Sequence, residues 1–217
     1  SGGFDDKSFN QTGKEGLDSA AKDLGVQANA VESQAETDYA SNITNLVNDG
    51  CNVIVTVGFL LADATKVAAE ANPDIQFAII DDSSIDLVNV KPIVFDTAQA
   101  AFLAGYAAAS YTKSGIVGTF GGIPIPPVTI FMDGFVDGVN YYNEQNGTSV
   151  KALGWDVEKQ DGAFTGGFDA NDTAKSTAQN LIDQGADVIL PCGGPIYKSA
   201  AQAIRDSGKD IALIGVD

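Results

Sequence analysis

Short β-rich apolar runs alternating with amphipathic helical stretches constrain this chain more than any other feature. The runs lie at Val53–Val57, Gln76–Ile80, Ile93–Phe95, Ile116–Phe120, Val150–Leu153, Val188–Leu190 and Ile211–Val216. They are too short for buried helices and rich in β-branched residues, so they read as strands. Between them lie helical patterns with recognisable ends. One starts at a capping Asp38, buries Ile43, Leu46 and Val47, and stops at Gly50; a second runs from about Leu61 to Asn72-Pro73; an alanine-rich third spans Ala98 to Thr112. The stripe Phe131, Phe135, Val139, Tyr142 repeats at helical spacing and reads as core packing. Strand, helix, strand repeated in this way predicts an α/β fold, a mostly parallel sheet with helices on both faces.

Composition narrows what such a fold can do. With 217 residues, 44% of them hydrophobic, the chain can bury a sizeable core in one large domain or two lobes. The net charge of −17 repels phosphate backbones and anionic headgroups, which argues against nucleic acid and a peripheral membrane role. Histidine is absent, so imidazole bases, Ser-His-Asp triads and histidine metal sites are excluded. The cysteines, Cys51 and Cys192, form neither a CxxC pair nor a zinc pattern, and they read as buried thiols at the ends of different strands. No run approaches the eighteen or so apolar residues of a membrane span.

Chemistry concentrates at the start of the chain, in Ser1-Gly2-Gly3-Phe4-Asp5-Asp6-Lys7-Ser8-Phe9-Asn10-Gln11. Glycines permit a tight turn, Asp6 or Ser8 caps the free N–H groups, and a helix follows through Gly13, Leu17, Ala20 and Leu24 to Gly25. The pattern reads as a ligand loop; the plain alternative is a capped surface turn. Ligand loops of this kind normally follow a strand. None precedes Ser1, and Asp217 closes another strand, so the chain reads as truncated at both ends.

In parallel sheets the ligand lies beyond the carboxyl ends of the strands, near the point where strand order reverses. Those ends carry Gly58, Asp81 and Asp82, Asp96, Gly121 and Gly122, Trp155, Gly193 and Gly194, and Asp217. The Asp6–Asn10 loop joins them once a preceding strand is supplied. The set is acidic and glycine-containing, with Lys7 its one cation. Phosphate or carboxylate ligands call for arginine and lysine. A neutral polyhydroxy or heterocyclic ligand fits better: carboxylates accept from ribose hydroxyls or a base N–H, and phenyl rings stack on a flat face. Gly118-x-x-Gly121-Gly122 is no dinucleotide fingerprint, because Ile123-Pro124-Ile125-Pro126-Pro127 follows where a helix N-terminus should cradle a pyrophosphate.

GGFDDKSFNQ, Val57-Gly58-Phe59, Ala71-Asn72-Pro73-Asp74 before Phe77-Ala78-Ile79-Ile80-Asp81, Phe102-Leu103-Ala104-Gly105-Tyr106, Met132-Asp133-Gly134-Phe135, Gly166-Gly167-Phe168-Asp169 and Ile214-Gly215-Val216-Asp217 occur in that order. Along its whole length the chain resembles the basic-membrane-protein lipoproteins, PnrA-like substrate-binding proteins of nucleoside ABC importers. The resemblance implies a type I periplasmic-binding-protein fold, two Rossmann-like lobes with the ligand in the interlobe cleft. The crossover is expected near residues 112–115, giving an N-terminal lobe at 1–112 and a C-terminal lobe at 113–217. The family also implies a lipid-anchored, extracytoplasmic monomer that delivers purine nucleosides to ABC permease subunits, with no cofactor and no chemistry performed.

Carried over by residue, Phe9 and Phe168 stack on opposite faces of a purine, and Asn10 and Asp81, or Asp82 from the same doublet, bond the base edge. Asp217 holds the ribose hydroxyls, Gly58 and Gly194 allow close backbone approach, and Asp6 belongs to the ligand loop. Without the resemblance, Phe9 and Phe168 would read as core, Asp217 as a turn and Asp81-Asp82 as a cap or solvated loop. The rival readings are a binding protein for a sugar or other small polar ligand, a carboxylate-based nucleoside hydrolase, and the ligand domain of a regulator. A hydrolase would need a tight aspartate cluster around calcium, which Asp5-Asp6-Lys7-Ser8 does not supply.

Overall fold

The computed structural model describes residues 3–216, and the chain divides into two compact units, Ser1–Phe95 and Asp96–Asp217. The first unit holds α1 (Phe9–Leu24), α2 (Tyr39–Asn48), β1 (Val53–Val57), α3 (Ala62–Ala71), β2 (Gln76–Ile80) and β3 (Val90–Ile93). Single 3-10 turns at Glu36–Asp38 and Phe59–Leu61 lead into α2 and α3. Its sheet runs β1-β2-β3, all parallel, with Val53 opposite Gln76 and Phe77 opposite Val90. Ile43, Ile54, Ala69, Phe77, Ile79, Ile85 and Val90 form its core.

Polar groups buried in this unit are satisfied within it. Thr65 on α3 donates to Thr56 Oγ1 on β1 at 2.8 Å. The Asn89 amide donates to the carbonyls of Ala69, Asn72 and Ile75, closing off the end of α3 and pinning the approach to β3. Gly25, in the left-handed region at φ 67°, ends α1 where expected. Asp38 does not cap α2, however. Its carboxylate accepts from the Gln34 and Ala35 amides upstream, tightening the preceding turn instead.

The second unit contains α4 (Thr97–Tyr111), β4 (Ile116–Gly121), α5 (Pro126–Asn146), β5 (Lys151–Leu153), a small hairpin of β6 (Trp155–Asp156) and β7 (Asp161–Gly162), α6 (Asp172–Asp183), β8 (Val188–Cys192), α7 (Ile196–Ser207) and β9 (Ala212–Leu213). The main sheet is parallel in the order β5-β4-β8-β9. Side chains alternate across it as the pleat requires. Val117, Val188, Leu190 and Cys192 join the layer under Met132, Phe135 and Val139 of α5, while Phe120 and Ile189 join Ala178, Ile182, Ile196 and Ala200 of α6 and α7. Helices therefore cover both faces of this sheet.

The observed division falls before α4, not after it near residue 112, because α4 and α5 approach backbone to backbone. A Cβ placed on Gly105 would lie 2.0 Å from the Phe135 carbonyl oxygen, and one on Gly138 would lie 2.0 Å from that of Phe102. Only glycine permits this contact, and it holds α4 to the second unit along most of its length.

Strand limits shift by a residue or two at β4, β5 and β8, and the larger differences from the sequence reading are these. The strand anticipated at Ile93–Phe95 runs Val90–Ile93, set by the Asn89 anchor, and leaves Val94 and Phe95 exposed. The last strand contracts to Ala212–Leu213. The Trp155 hairpin was not foreseen, being stabilised by a long-range bond from Trp155 Nε1 to Asp133 Oδ1 at 2.8 Å. Among the described residues no helix is long and apolar enough to cross a membrane.

Candidate ligand-binding site

In the first unit, the start of α1 meets the carboxyl end of β1. The chain bends through Lys7, which takes a left-handed φ of 57°, and this turns the Asp6 carboxylate under the open amides of the helix. Asp6 Oδ1 accepts from the Ser8 amide at 2.8 Å and the Gln11 amide at 3.1 Å. Its Oδ2 accepts from the Asn10 amide at 3.1 Å and from Asn10 Nδ2 at 2.8 Å. Burial works to raise the Asp6 pKa, but these bonds outweigh it and hold the carboxyl below its ordinary value. Asp6 is thus the cap of α1, and its oxygens are engaged by the loop it organises.

Phe9, half-buried in the first helical turn, lays its ring over the end of β1. A Cβ on Gly58 would stand 3.4 Å from Phe9 Cε1. Gly58 also takes φ 108°, a conformation that side chains disfavour, and its amide donates to the Ile80 carbonyl at 3.2 Å. The 3.4 Å approach to the Phe9 ring is ordinary contact, so it is the backbone conformation that favours glycine at this position.

The Asp81-Asp82 doublet at the end of β2 separates into unlike roles. Asp82 is buried, and its Oδ2 accepts from the Ser84 amide at 3.0 Å and hydroxyl at 2.9 Å, a local turn. Asp81 sits in the left-handed region at φ 65°, half-buried, with no side-chain hydrogen bond among the described residues. Burial without compensation pushes its pKa up. A strained, partly desolvated and unpaired carboxylate at a parallel strand end is the kind of group that a ligand satisfies.

The second unit repeats the ring-on-glycine arrangement at its strand-order reversal. β4 is the first strand of this sheet, with β5 on one side and β8 on the other, and Gly121 lies opposite Cys192 in register. Just beyond, Gly122 and Gly193 support the ring of Phe168. A Cβ on Gly122 would lie 2.3 Å from Phe168 Cδ1, and one on Gly193 would lie 2.6 Å from the same atom. The ring is half-buried, its inner side packed on the core and its remaining surface exposed. The connection carrying it is clamped to β4: the Thr165 amide donates to Gly121 O at 3.0 Å, and the Gly166 and Gly167 amides donate to Gly122 O at 2.9 and 3.2 Å.

Gly193 and Gly194, at φ 134° and 41°, turn the chain from β8 into α7. Sequence reasoning missed Thr165, which is buried and donates to the Gly167 carbonyl at 2.6 Å, fixing the loop that presents Phe168. A lone threonine in a polar segment gives no local signal of that role. Cys192, packed beneath this site, has its thiol pushed up to about 12 by burial, with a contact to Thr119 opposing. Both cysteines are free thiols. Among the described residues no group of three or more His, Cys, Asp or Glu side chains could hold a metal ion. Asp217 lies outside the described residues.

Phe9, Asn10, Gly58 and Asp81 thus gather at the strand ends of one unit, and Phe168 and Gly194 at those of the other, while Asp6 and Asp82 are committed to local structure. Known proteins carry the same chain pattern. "ABC transporter nucleoside-binding protein BmpA" of Lactococcus lactis is 32% identical over 99% of this chain and 61% of its own length. Basic membrane protein A of Borreliella burgdorferi is 30% identical over 100% of this chain and 61% of its own length. The crystal structure of an ABC transporter solute-binding protein from Aeropyrum pernix K1 superposes with a TM-score of 0.86 at 29% identity, covering 99% of this chain and 59% of that one. The chain thus spans about three fifths of the length of these relatives. The family described as "ABC transporter substrate-binding protein PnrA-like" matches residues 1–217, and the chain belongs to that family, with its α/β periplasmic-binding-protein fold.

Proposed function

We propose that this protein binds a purine nucleoside, with one phenyl ring from each unit on either face of the base, and passes it to the permease of an ABC importer outside the cytoplasmic membrane. The observation that carries the reading is the recurrence of one device. In each unit a half-buried phenylalanine rests on glycine at the carboxyl end of the parallel strands, Phe9 on Gly58 and Phe168 on Gly122 and Gly193. A flat, neutral base offers both of its faces to two such rings. Asn10 and Asp81 supply hydrogen-bonding atoms for the base edge, and Gly194 leaves room for the ligand to approach the backbone. Asp217 is assigned to the ribose hydroxyls from the family resemblance alone. The name of the L. lactis relative, a nucleoside-binding protein, supports the same ligand class.

Calorimetric titration with adenosine, guanosine, inosine, cytidine and ribose tests the proposal. Purine nucleosides bind and ribose gives little heat. Base–aromatic stacking is worth about 1–3 kcal/mol, so Phe9→Ala and Phe168→Ala each weaken purine nucleoside binding by about 5- to 150-fold. Ribose binding as tight as that of adenosine, or an unchanged affinity in both variants, refutes the sandwich.

A further inference from the structure

Asp6 determines which atom Asn10 can show to a ligand. An ionised carboxylate only accepts hydrogen bonds, and the Asn10 side chain reaches Asp6 Oδ2 at 2.8 Å. The amide group must therefore meet it with Nδ2, which leaves Oδ1 directed elsewhere. The same oxygen of Asp6 accepts the Asn10 main-chain amide, so the backbone and side chain of Asn10 are held by one atom. Asp6 itself is 9% exposed and fixed by further bonds from Ser8 and Gln11, so the lock cannot swing with the loop. Asn10 Oδ1 has no hydrogen-bond partner among the described residues, and it lies one residue from Phe9, whose ring rests on Gly58.

We propose that Asp6 is a positioning residue that holds the Asn10 amide in one orientation, so that Asn10 presents an acceptor beside Phe9 and the site favours bases carrying an N–H donor at their edge. The inference rests on the nucleoside reading above and adds the polarity of the base edge to it. Asp81, whose carboxylate has no side-chain hydrogen bond among the described residues, reinforces the preference, since both groups reward a donor. A base edge offering only acceptors would set lone pair against lone pair and leave these oxygens unsatisfied.

The test compares ligands that differ only in a donor. Adenosine is titrated against purine riboside, which lacks the 6-amino group, and guanosine against inosine, which lacks the 2-amino group. The parent protein prefers the amino-bearing member of at least one pair by about tenfold, the usual scale for a lost buried hydrogen bond. Asp6→Asn keeps the shape of the side chain but lets it donate as well as accept. The Asn10 amide can then reverse, and the preference falls to about threefold or less while purine riboside binding is largely retained. Asn10→Ala lowers the preference to the same residual level, that of Asp81, in either background.

A purely structural role for Asp6 gives a different result: Asp6→Asn weakens both members of a pair equally and leaves their ratio intact, which overturns the proposal. Absence of any donor preference in the parent overturns it too. Failure of all four nucleosides to bind the parent instead strikes the nucleoside reading itself. Circular dichroism melts of each variant identify any that fail to fold, and in that case Asp6→Glu, which keeps the accept-only charge, must retain the donor preference or the proposal falls.

Discussion

Replacing Gly122 by alanine tests whether the seat of Phe168 matters. The added Cβ would lie 2.3 and 2.4 Å from two ring carbons of Phe168 and 2.9 Å from the Gly167 carbonyl oxygen. Ordinary contact begins at 3.4 Å, so the ring must retreat by the difference, 3.4 − 2.3 = 1.1 Å. It cannot do so freely. Gly166 and Gly167 are bonded to the Gly122 carbonyl at 2.9 and 3.2 Å, and Thr165 is bonded to Gly121. The strain either loosens this clamp or swings the ring out of its seat. Overpacking of this kind costs about 1–3 kcal/mol, equivalent to a fall in Tm of about 2–12 °C for a chain of this size. A displaced ring no longer stacks, and purine nucleoside affinity falls by about 5- to 150-fold.

The decisive measurement is a double-mutant cycle by thermal melting and calorimetry. Phe168→Ala removes the ring, so adding Gly122→Ala in that background should cost clearly less than in the parent, the remainder coming from the 2.9 Å approach to the Gly167 carbonyl oxygen, while binding stays weak. The coupling energy between the two positions should then exceed about 1 kcal/mol, the range for residues in direct contact. Gly193 is the poorer probe, since φ 134° penalises any side chain there whatever the ring does. Additive effects on stability, or parental nucleoside affinity in Gly122→Ala, would falsify the seating argument.

Other perturbations follow from the same geometry. Asp81→Asn should raise Tm at neutral pH while weakening ligand binding, because burial lifts the Asp81 pKa above 3.8 and its ionisation opposes folding. The native carboxyl binds its proton more tightly than the unfolded chain does, so stability declines as pH rises from 3.8 through the raised value; the gain from Asn is therefore present above that window and disappears below pH 3.8, measured by melts across pH. Gly138→Ala should destabilise the protein by more than about 2 kcal/mol in urea, since its Cβ would meet the Phe102 carbonyl oxygen at 2.0 Å and backbone cannot yield as a side chain can. Native-state hydrogen exchange should show α4 opening together with α5 rather than with β1–β3; the reverse pattern would put the division after residue 112. Cys192, fully buried with its thiol pushed up to about 12, should resist alkylation until the protein unfolds, and modification at the native-state rate of an exposed thiol would contradict its burial.

Local chemistry and long-range chemistry were unequally visible in the sequence. Strands and helices followed from periodicity because their spacing is set within a few residues, and Gly25 marked a helix end because only the left-handed conformation closes it there. Asp81 and Asp82 could not be told apart, since their difference lies in φ and in the Ser84 partner, neither of which residue type reports. The place of α4 was misjudged for a related reason. Gly105 on α4 and Gly134 and Gly138 on α5 form a small-residue stripe that could have signalled helix contact, but the sequence does not say which helix faces it. Asp6 looked like a ligand residue because it is a carboxylate in a glycine-rich loop. The structure shows what residue type did not, that its oxygens accept from the amides of its own loop.

The two ring seats are built by different means toward one physical end. Phe9 stands on a helix whose first turn is tied by the Asp6 carboxylate, whereas Phe168 hangs on a loop stitched to β4 through main-chain bonds. At Gly122 and Gly193 glycine removes a Cβ that would lift the Phe168 ring, at Gly58 a Cβ would only touch the Phe9 ring, and in both units neighbouring bonds hold the backbone that carries the ring. Ordering a free side chain on binding costs about 0.5–1.5 kcal/mol, comparable with what stacking returns at its lower limit. A mobile phenylalanine would therefore cancel much of its own contribution, while a seated one keeps it. On the proposed function, Gly122 and Gly193 would contribute to affinity through the ring that they seat.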